Sequence, residues 1–299
     1  MKLKTEKVVI KIYNIGILQL IQHLDDAVKG LKDGLSELNI ECNYHYLNSD
    51  GNEEVLPDLA NQLLEKDVDV IFACSTPSAR AAKALKGEIP VVFTPVFDPV
   101  SVGLVEKIEA PEGKVTGVSG MVSAKEKVEF IKELLPEAKV IGFVYHSLDP
   151  NACIEKDNFS KACSGIFTIK EIPVEKAEDL SKLSDELTEG IDAVFMPIGR
   201  IIEENFATVL YYTEDLNIPV IASNEACVTL GALGALVANH YYLGKDCAQM
   251  IAKILNKVPV KDIPVEFVKK PEIVLNRSAA EYMGIEISGD LINKATNLY

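Results

Sequence analysis

Short apolar runs and longer amphipathic stretches alternate along the first half of this chain. Apolar runs of strand length predict β-strands, and apolar residues recurring every three or four positions predict helices. The predicted strands cover residues 8–20, 41–47, 68–74 and 89–96. The predicted helices cover residues 24–38, 54–66, 77–85 and 102–108. This half therefore predicts four consecutive β-α units.

The same order of elements returns in the second half. A helix is predicted at residues 125–135, and further strands and helices alternate after it. The predicted strands are 138–146, 165–172, 191–198 and 218–223, and the helices between them are 151–164, 177–187 and 203–216. Regular alternation is typical of doubly wound parallel sheets, and 299 residues suffice for two cores. The pattern predicts two α/β lobes, with the tail after Ile285 packed on a lobe surface.

The charge balance restricts the partners. Lys and Arg number 30 against 45 Asp and Glu, a formal net charge of −15. Binding to nucleic acid or to an anionic membrane needs clustered cations, so neither partner is expected. The longest apolar run is interrupted by Lys11 and Asn14, which argues against membrane insertion. The first residues lead into a strand and show no secretion signal, so we expect a cytosolic chain or a processed one.

The six cysteines are scattered: Cys42, Cys74, Cys153, Cys163, Cys227 and Cys247. Because no pair has CxxC spacing, we expect no metal site and buried, unpaired thiols. Cys153 and Cys163 would lie roughly 15 Å apart on a helix, too far for a disulfide.

Ligands of open α/β sheets bind beyond the carboxyl ends of the strands, which here carry small polar residues. The stretch IFACSTPSARAAKAL, residues 71–85, lies at one such end, and its polar residues can be interpreted in two ways. Ser75 or Thr76 can simply cap a helix that has Pro77 in its first turn. The same helix start can instead bind a carboxylate or phosphate through its N–H groups and dipole. These residues alone leave both alternatives open.

A series of segments in one order, from about residue 10 to 285, resembles the ABC_sub_bind family of ABC-transporter substrate-binding proteins. It includes DVDVIFACSTPSA, IPVVFTPVFDPVSVGLV, KELLPEAKVIGFVY, IPVIASNE and IVLNRSAAEYMGI. The resemblance implies the type I periplasmic-binding-protein fold, with two lobes joined by three hinge strands. Lobe 1 would be residues 1–119 with 239–262, and lobe 2 residues 120–238 with 263–299. It also implies a small-molecule ligand, often an aromatic amino acid, bound in the inter-lobe cleft with hinge closure. The partner would be an ABC transporter permease, and the protein itself would be extracytoplasmic, either periplasmic or lipid-anchored at the cell surface.

The family's binding loops, carried over by position, imply a set of ligand-binding residues in this chain. They are Gln19, His23, Ser75, Thr76, Pro77, Thr94, Phe97, Asp98, Ser119, Tyr145, Asn151, Gly199, Arg200, Asn224 and Glu225. Ser75 and Thr76 are the candidates for binding a ligand carboxylate. Phe97 either stacks on a flat ligand or lies in the core, and Asp98 either binds an ammonium or caps the following helix.

Two departures from the family pattern bear on the ligand. Gly120 stands where the family often has Asp after Gly-Val-Ser, and residues 198–200 are Ile-Gly-Arg where it often has Thr-Asp-Asn. Arg200 therefore predicts a more anionic ligand if it contacts that ligand, and otherwise is a solvated helix residue. Glu225 keeps an amino-acid ammonium possible.

Other function classes have weaker support. Cys74 and Cys227 superficially resemble the two thiols of cofactor-independent amino-acid racemases, but no His follows Cys227. No GxGxxG or GxSxG motif is present, which disfavours a nucleotide-dependent dehydrogenase and a serine hydrolase. A metabolite sensor domain shares the fold and stays an alternative. We expect a binding protein without catalysis or cofactor.

Overall fold

The computed structural model describes residues 11–187 and 190–299. The first residues of the strand predicted at 8–20 lie outside this range. Strands and helices alternate along the described chain. The strands are β1 Tyr13–Gln19, β2 Cys42–Asn48, β3 Val70–Cys74, β4 Val91–Val96, β5 Val115–Ser119, β6 Val140–His146, β7 Thr168–Val174, β8 Ala193–Phe195, β9 Val220–Ala222, β10 Gly234–Val237, β11 Glu272–Leu275 and β12 Asn297–Leu298. The helices are α1 Asp25–Glu37, α2 Leu56–Leu64, α3 Thr76–Ala84, α4 Ala124–Leu134, α5 Pro150–Ala162, α6 Leu183–Glu186, α7 Arg200–Glu204, α8 Phe206–Glu214, α9 Glu225–Leu230, α10 His240–Leu255, α11 Arg277–Met283 and α12 Gly289–Lys294.

These elements form two compact units. The first unit runs to Met121 and takes in Asn239–Lys269, and the second consists of Val122–Ala238 and Lys270–Tyr299. The chain therefore passes three times from one unit to the other. Each unit has an α/β architecture built on its own sheet, as the alternating pattern predicts.

The sheet of the first unit is parallel, in the order β2-β1-β3-β4-β5. Strand β3 is buried along its whole length, because helices cover both faces of a parallel sheet. Helix α10 returns to this unit from much later in the sequence and packs against α1 and β4. The core includes Leu18, Ile71 and Phe93, which are fully buried.

The prediction of a helix at residues 102–108 is wrong. Turns occupy this segment, and Gly103 has a left-handed φ of 71° that interrupts a helix. Side chains of α3 take the carbonyl oxygens: Arg80 donates to Val102 O, and Lys83 donates to Gly103 O at 2.6 Å. These oxygens are therefore satisfied without helical hydrogen bonds.

Residues 263–269 group with the first unit, whereas the resemblance implies that they belong to the second lobe. Thr116 Oγ1 donates to Ile263 O at 2.8 Å, and Ser119 N donates to Glu266 O at 2.8 Å. Lys269 forms ion pairs with Glu266 and with Asp246 of α10. The segment thus continues the hydrogen bonding of the first sheet beyond β5.

The sheet of the second unit has the order β12-β11-β10-β9-β8-β6-β7. Strand β11 runs antiparallel to β10, and the other neighbours are parallel. One face carries α6 and α8, whose buried side chains pack on Val194 and Val220. None of the helices in residues 11–187 and 190–299 is both long and apolar enough to span a bilayer.

The C-terminal tail forms a β-strand, whereas the sequence predicts only that it packs on a lobe surface. After α12, residues Asn297 and Leu298 form β12 and extend the second sheet beside β11. Tyr299 N donates to Leu275 O at 2.9 Å, and Tyr299 O accepts from Arg277 N at 2.6 Å. The tail is therefore an edge strand of the second unit.

Candidate functional site

Four of the predicted residues lie at the carboxyl edge of the first sheet. Gln19 ends β1 and Thr94 lies in β4, and both are register partners of Cys74, the last residue of β3. Ser75 N donates to Thr94 O at 3.0 Å. Ser119 ends β5, the neighbour of β4. The first unit thus places these polar side chains on adjacent strand ends, where ligands of α/β sheets bind.

Ser75 is the N-cap of α3 and has a strained backbone. Its φ of 99° and ψ of 162° fall in a region that is populated almost only by glycine. Its Oγ accepts from Ser78 N at 3.4 Å and donates to Ser78 Oγ at 3.1 Å. Thr76 begins α3, Pro77 follows it, and both are half-buried. Strain of this kind concentrates at ligand-binding sites, so the cap geometry and a binding role are compatible.

Two substitutions isolate the strain at Ser75, because both remove its hydroxyl and only glycine also relieves the backbone. Ser75→Gly relieves a conformation that costs about 1 to 3 kcal/mol, against about 0.5 to 1 kcal/mol for glycine's freedom in the unfolded chain and a few tenths of a kcal/mol for the lost cap. Ser75→Ala keeps the strain and loses the cap, worth about 1 kcal/mol. We expect urea unfolding to show the Gly variant at least as stable as wild type and the Ala variant less stable than both. Equal stability of the two variants would contradict the inference that the Ser75 backbone is strained.

Gln19 is fully buried and only partly satisfied. Its Nε2 donates to Ile21 O at 2.7 Å and to Asp25 Oδ1 at 3.0 Å. Its Oε1 has no hydrogen-bond partner in the described part of the chain. A buried amide oxygen without a donor is costly, which makes it a candidate acceptor for a ligand. His23 lies close by in sequence, in the short 3-10 turn Gln22–Leu24.

The loop after β4 is held by its own hydrogen bonds. Asp98 Oδ1 accepts from Val100 N at 3.1 Å and Ser101 N at 3.0 Å, and its Oδ2 accepts from Ser101 Oγ at 2.7 Å. Ser119 Oγ donates to Phe97 O at 2.7 Å. Asp98 therefore caps a turn and not the helix that was predicted to follow it, and its binding role stays a prediction. Phe97 is half-buried.

The second unit also gathers its predicted loops at one edge. Phe143 of β6, Phe195 of β8 and Ile221 of β9 are in register across three neighbouring strands. The remaining predicted residues lie near the ends of these strands or at the starts of the helices that follow them: Tyr145, Asn151, Gly199, Arg200, Asn224 and Glu225. The carboxyl ends of parallel strands meet at a common edge, so the topology brings these loops together.

Tyr145 is the penultimate residue of β6, and Asn151 is the second residue of α5. The Tyr145 side chain is 8% exposed, and burial raises the pKa of its phenol. Lys156 places its Nζ 5.8 Å from the centre of this ring. Asn151 lies in the first turn of α5, where its N–H donates to the N-cap, Asp149 Oδ1, at 2.8 Å. Asn151 therefore belongs to a capped helix start.

Gly199 and Arg200 begin the short helix α7. Gly199 N donates to Glu203 Oε1 at 3.1 Å, which closes the first turn. The Arg200 side chain is 86% exposed, and its Nε lies 3.7 Å from Glu204 Oε1. Exposed pairs of this geometry contribute little energy. The structure is thus consistent with a solvated Arg200, and its anion-binding role stays a prediction.

Asn224 and Glu225 begin α9. Asn224 Oδ1 accepts from Cys227 N at 2.9 Å, so Asn224 is the N-cap. Glu225 Oε1 accepts from Tyr299 OH at 2.6 Å and from Asn297 Nδ2. The carboxylate expected to meet a ligand ammonium is therefore held by the C-terminal strand. Carboxylate hydrogen bonding raises the pKa of Tyr299.

Sequence reasoning missed a buried ion pair in the second unit. Lys127 of α4 contacts Glu155 of α5, and each side chain is 4% exposed. Both residues lie in amphipathic helices among many other charges, a pattern that indicates a solvated face. Nothing in the sequence marks them as buried. As for metals, the described residues contain no cluster of three His, Cys, Asp or Glu side chains that could hold an ion.

Comparison with known proteins gives relatives over almost the whole chain. The family model described as ABC transporter substrate binding protein matches residues 14–298. A tyrosine-binding protein of Clostridioides difficile is 30% identical over 93% of this chain and 83% of its own length.

Two solved structures are also similar. A ligand-free, open substrate-binding protein with adhesive properties from Clostridium difficile has a TM-score of 0.87 and 28% identity, covering 95% of this chain and 98% of its own. A domain from Streptococcus pneumoniae in complex with L-Trp has a TM-score of 0.76 and 28% identity, covering 97% and 100%. The fold, the polar strand ends and these matches lead to one conclusion: the chain belongs to the family of ABC transporter substrate-binding proteins.

Proposed function

We propose that this protein is the extracytoplasmic receptor of an ABC importer and binds an aromatic amino acid or a related small carboxylate. It would deliver the ligand to a membrane-embedded permease partner. A metabolite-sensing role has no feature in the described residues that favours it. The ligand class is supported by the tyrosine-binding protein and by the L-Trp complex among the relatives.

The main support for this proposal comes from two polar groups at the carboxyl edge of the first sheet. Ser75 holds a strained cap at the start of α3, and Gln19 Oε1 is buried without a donor one strand away. The start of α3 offers the Thr76 hydroxyl and the positive end of the helix dipole to a ligand carboxylate. Its backbone N–H groups are largely taken, because Ser78 N donates to Ser75 Oγ and Pro77 has no N–H. Gln19 Oε1 offers an acceptor to a ligand ammonium. Together they match the two charged groups of a free amino acid.

The experiment is a calorimetric titration of the wild-type protein with L-tryptophan, L-tyrosine and L-phenylalanine. We expect saturable binding of at least one of them. We further propose that the ligand engages loops of both lobes in the inter-lobe cleft and closes the hinge, so small-angle scattering should give a smaller radius of gyration with saturating ligand. Absence of binding to all three would contradict the aromatic ligand class, and an unchanged radius would contradict closure.

Arg200→Ala tests the charge of the ligand. Because the Arg200 side chain is exposed and its partner Glu204 is on the surface, we expect the affinity for an aromatic amino acid to change by less than about threefold. Calorimetry on this variant and wild type measures the change. A loss of more than about tenfold would instead support a contact with an anionic group of the ligand.

The thiols test the racemase alternative. Burial raises the pKa of Cys74 and Cys247 strongly, that of Cys163 to about 12 and that of Cys227 to about 11. Buried thiols of this kind are inert, whereas racemase thiols must exchange protons near neutral pH. At pH 8 we expect iodoacetamide to label native Cys42 and Cys153, which are partly exposed, and the other four only in urea. Rapid native labelling of Cys74 or Cys227 would favour the enzyme.

A further inference from the structure

The buried Lys127–Glu155 pair has an incomplete set of hydrogen bonds. Glu155 Oε1 accepts from Lys127 Nζ and lies 3.4 Å from Ser223 Oγ. Glu155 Oε2 is also buried, yet it has no hydrogen-bond partner in the described part of the chain. A carboxylate oxygen that is removed from water and left without a donor costs several times what an ordinary hydrogen bond contributes.

This cluster lies at the carboxyl edge of the second sheet. Ser223 directly follows β9, and Phe195 ends β8. Lys127 Nζ is 5.7 Å from the centre of the Phe195 ring, and that ring stacks on Phe159 with centroids 4.5 Å apart. Charged groups and aromatic rings therefore meet where the loops predicted to bind the ligand begin.

Stability does not account for the pair. Replacing a buried ion pair by apolar residues of similar volume is often neutral or stabilising, and a half-satisfied polar cluster is worse than an apolar core. The surrounding side chains of Phe143, Phe159 and Phe195 would accept apolar neighbours. A role in recognition explains a charged pair at this position better than a role in folding.

We propose that Glu155, oriented by Lys127 and Ser223, accepts a hydrogen bond from a donor on the ligand's aromatic side chain. This inference rests on the proposed function and specifies its ligand: a phenol O–H or an indole N–H fits, and an unsubstituted phenyl ring does not. Hydrogen bonds to carboxylates are short and strong. A site built around such a bond rejects the analogue that lacks the donor, because its acceptor is then left unpaired.

The test compares L-tyrosine, L-tryptophan and L-phenylalanine by calorimetry on wild type and on the double variant Lys127→Met/Glu155→Leu. We expect wild type to bind the better donor ligand roughly 10- to 150-fold more tightly than L-phenylalanine. In the double variant this ratio should fall to within about threefold, chiefly through weaker donor binding. N1-methyl-L-tryptophan, which has no indole N–H, tests whether that group is the donor. If it is, this ligand should bind as weakly as L-phenylalanine.

The matched control is Glu133→Leu/Lys294→Met, the same changes at an exposed pair of the second unit with Nζ 2.6 Å from Oε1. It should leave the ligand ratio unchanged. A merely structural role of Lys127 and Glu155 would alter all affinities equally, so an unchanged ratio in the double variant would overturn the inference. Equal wild-type affinities for all three amino acids would overturn it without any variant while leaving the proposed function intact. Absence of binding to all three would overturn both.

Discussion

Gly244→Val should unfold the first unit well below the wild-type temperature. Helices α1 and α10 pack with their backbones almost in contact: a Cβ at Gly244 would lie 2.0 Å from Ala27 O, and one at Gly30 would lie 1.9 Å from Tyr241 O. No side-chain rotation relieves a clash with backbone, so α10 must move away from α1. We expect a loss of more than about 3 kcal/mol, or about 10 °C in the melting temperature.

Scanning calorimetry can measure this effect if the two units melt separately, and circular dichroism gives the overall loss. The matched control is Gln249→Val, which places the same side chain on the exposed face of α10 and should cost about 0.5 kcal/mol through helix propensity alone. If Gly244→Val melts like Gln249→Val, the close approach of the two helices is wrong.

The packing of α1 against α10 could not be predicted from the sequence. The alternation of strands and helices predicts the α/β class and most elements, because apolar periodicity is a local signal. Gly30 and Gly244 belong to helices at opposite ends of the sequence, and no local pattern pairs them. The C-terminal strand β12 is too short to show any period, so the tail was expected only to pack on a surface.

The candidate site, too, could be predicted from the sequence only in part. Strand ends are predictable, and the register pairs Gln19 of β1 and Thr94 of β4 with Cys74 at the end of β3. Hydrogen-bond partners are not predictable from spacing. Glu225 is held by Asn297 and Tyr299, and Asp98 caps its own turn. The burial of Lys127 and Glu155 arises only when α4 packs on α5.

Thr76→Val should weaken the binding of an aromatic amino acid roughly 10- to 150-fold, which corresponds to the 1.5 to 3 kcal/mol of a hydrogen bond to a charged group. Thr76 is the first residue of α3 and is half-buried, beside the strained Ser75 cap. Valine keeps the shape of threonine and removes the hydroxyl, so helix start and fold are retained. The control is Thr168→Val, the same change at an exposed residue where β7 begins, far along the strand from the carboxyl edge.

A comparison of ligands assigns the lost contact to the carboxylate. L-Tryptophan and L-tryptophanamide share the indole and the ammonium, but the amide has no negative charge for the Thr76 hydroxyl and the dipole of α3. If Thr76 binds the carboxylate, calorimetry should show a large loss for L-tryptophan in Thr76→Val and little further loss for the amide, which already binds weakly to wild type. Equal losses for both ligands would mean that the hydroxyl serves the loop and not the carboxylate. An unchanged affinity for L-tryptophan would remove the start of α3 from the binding site.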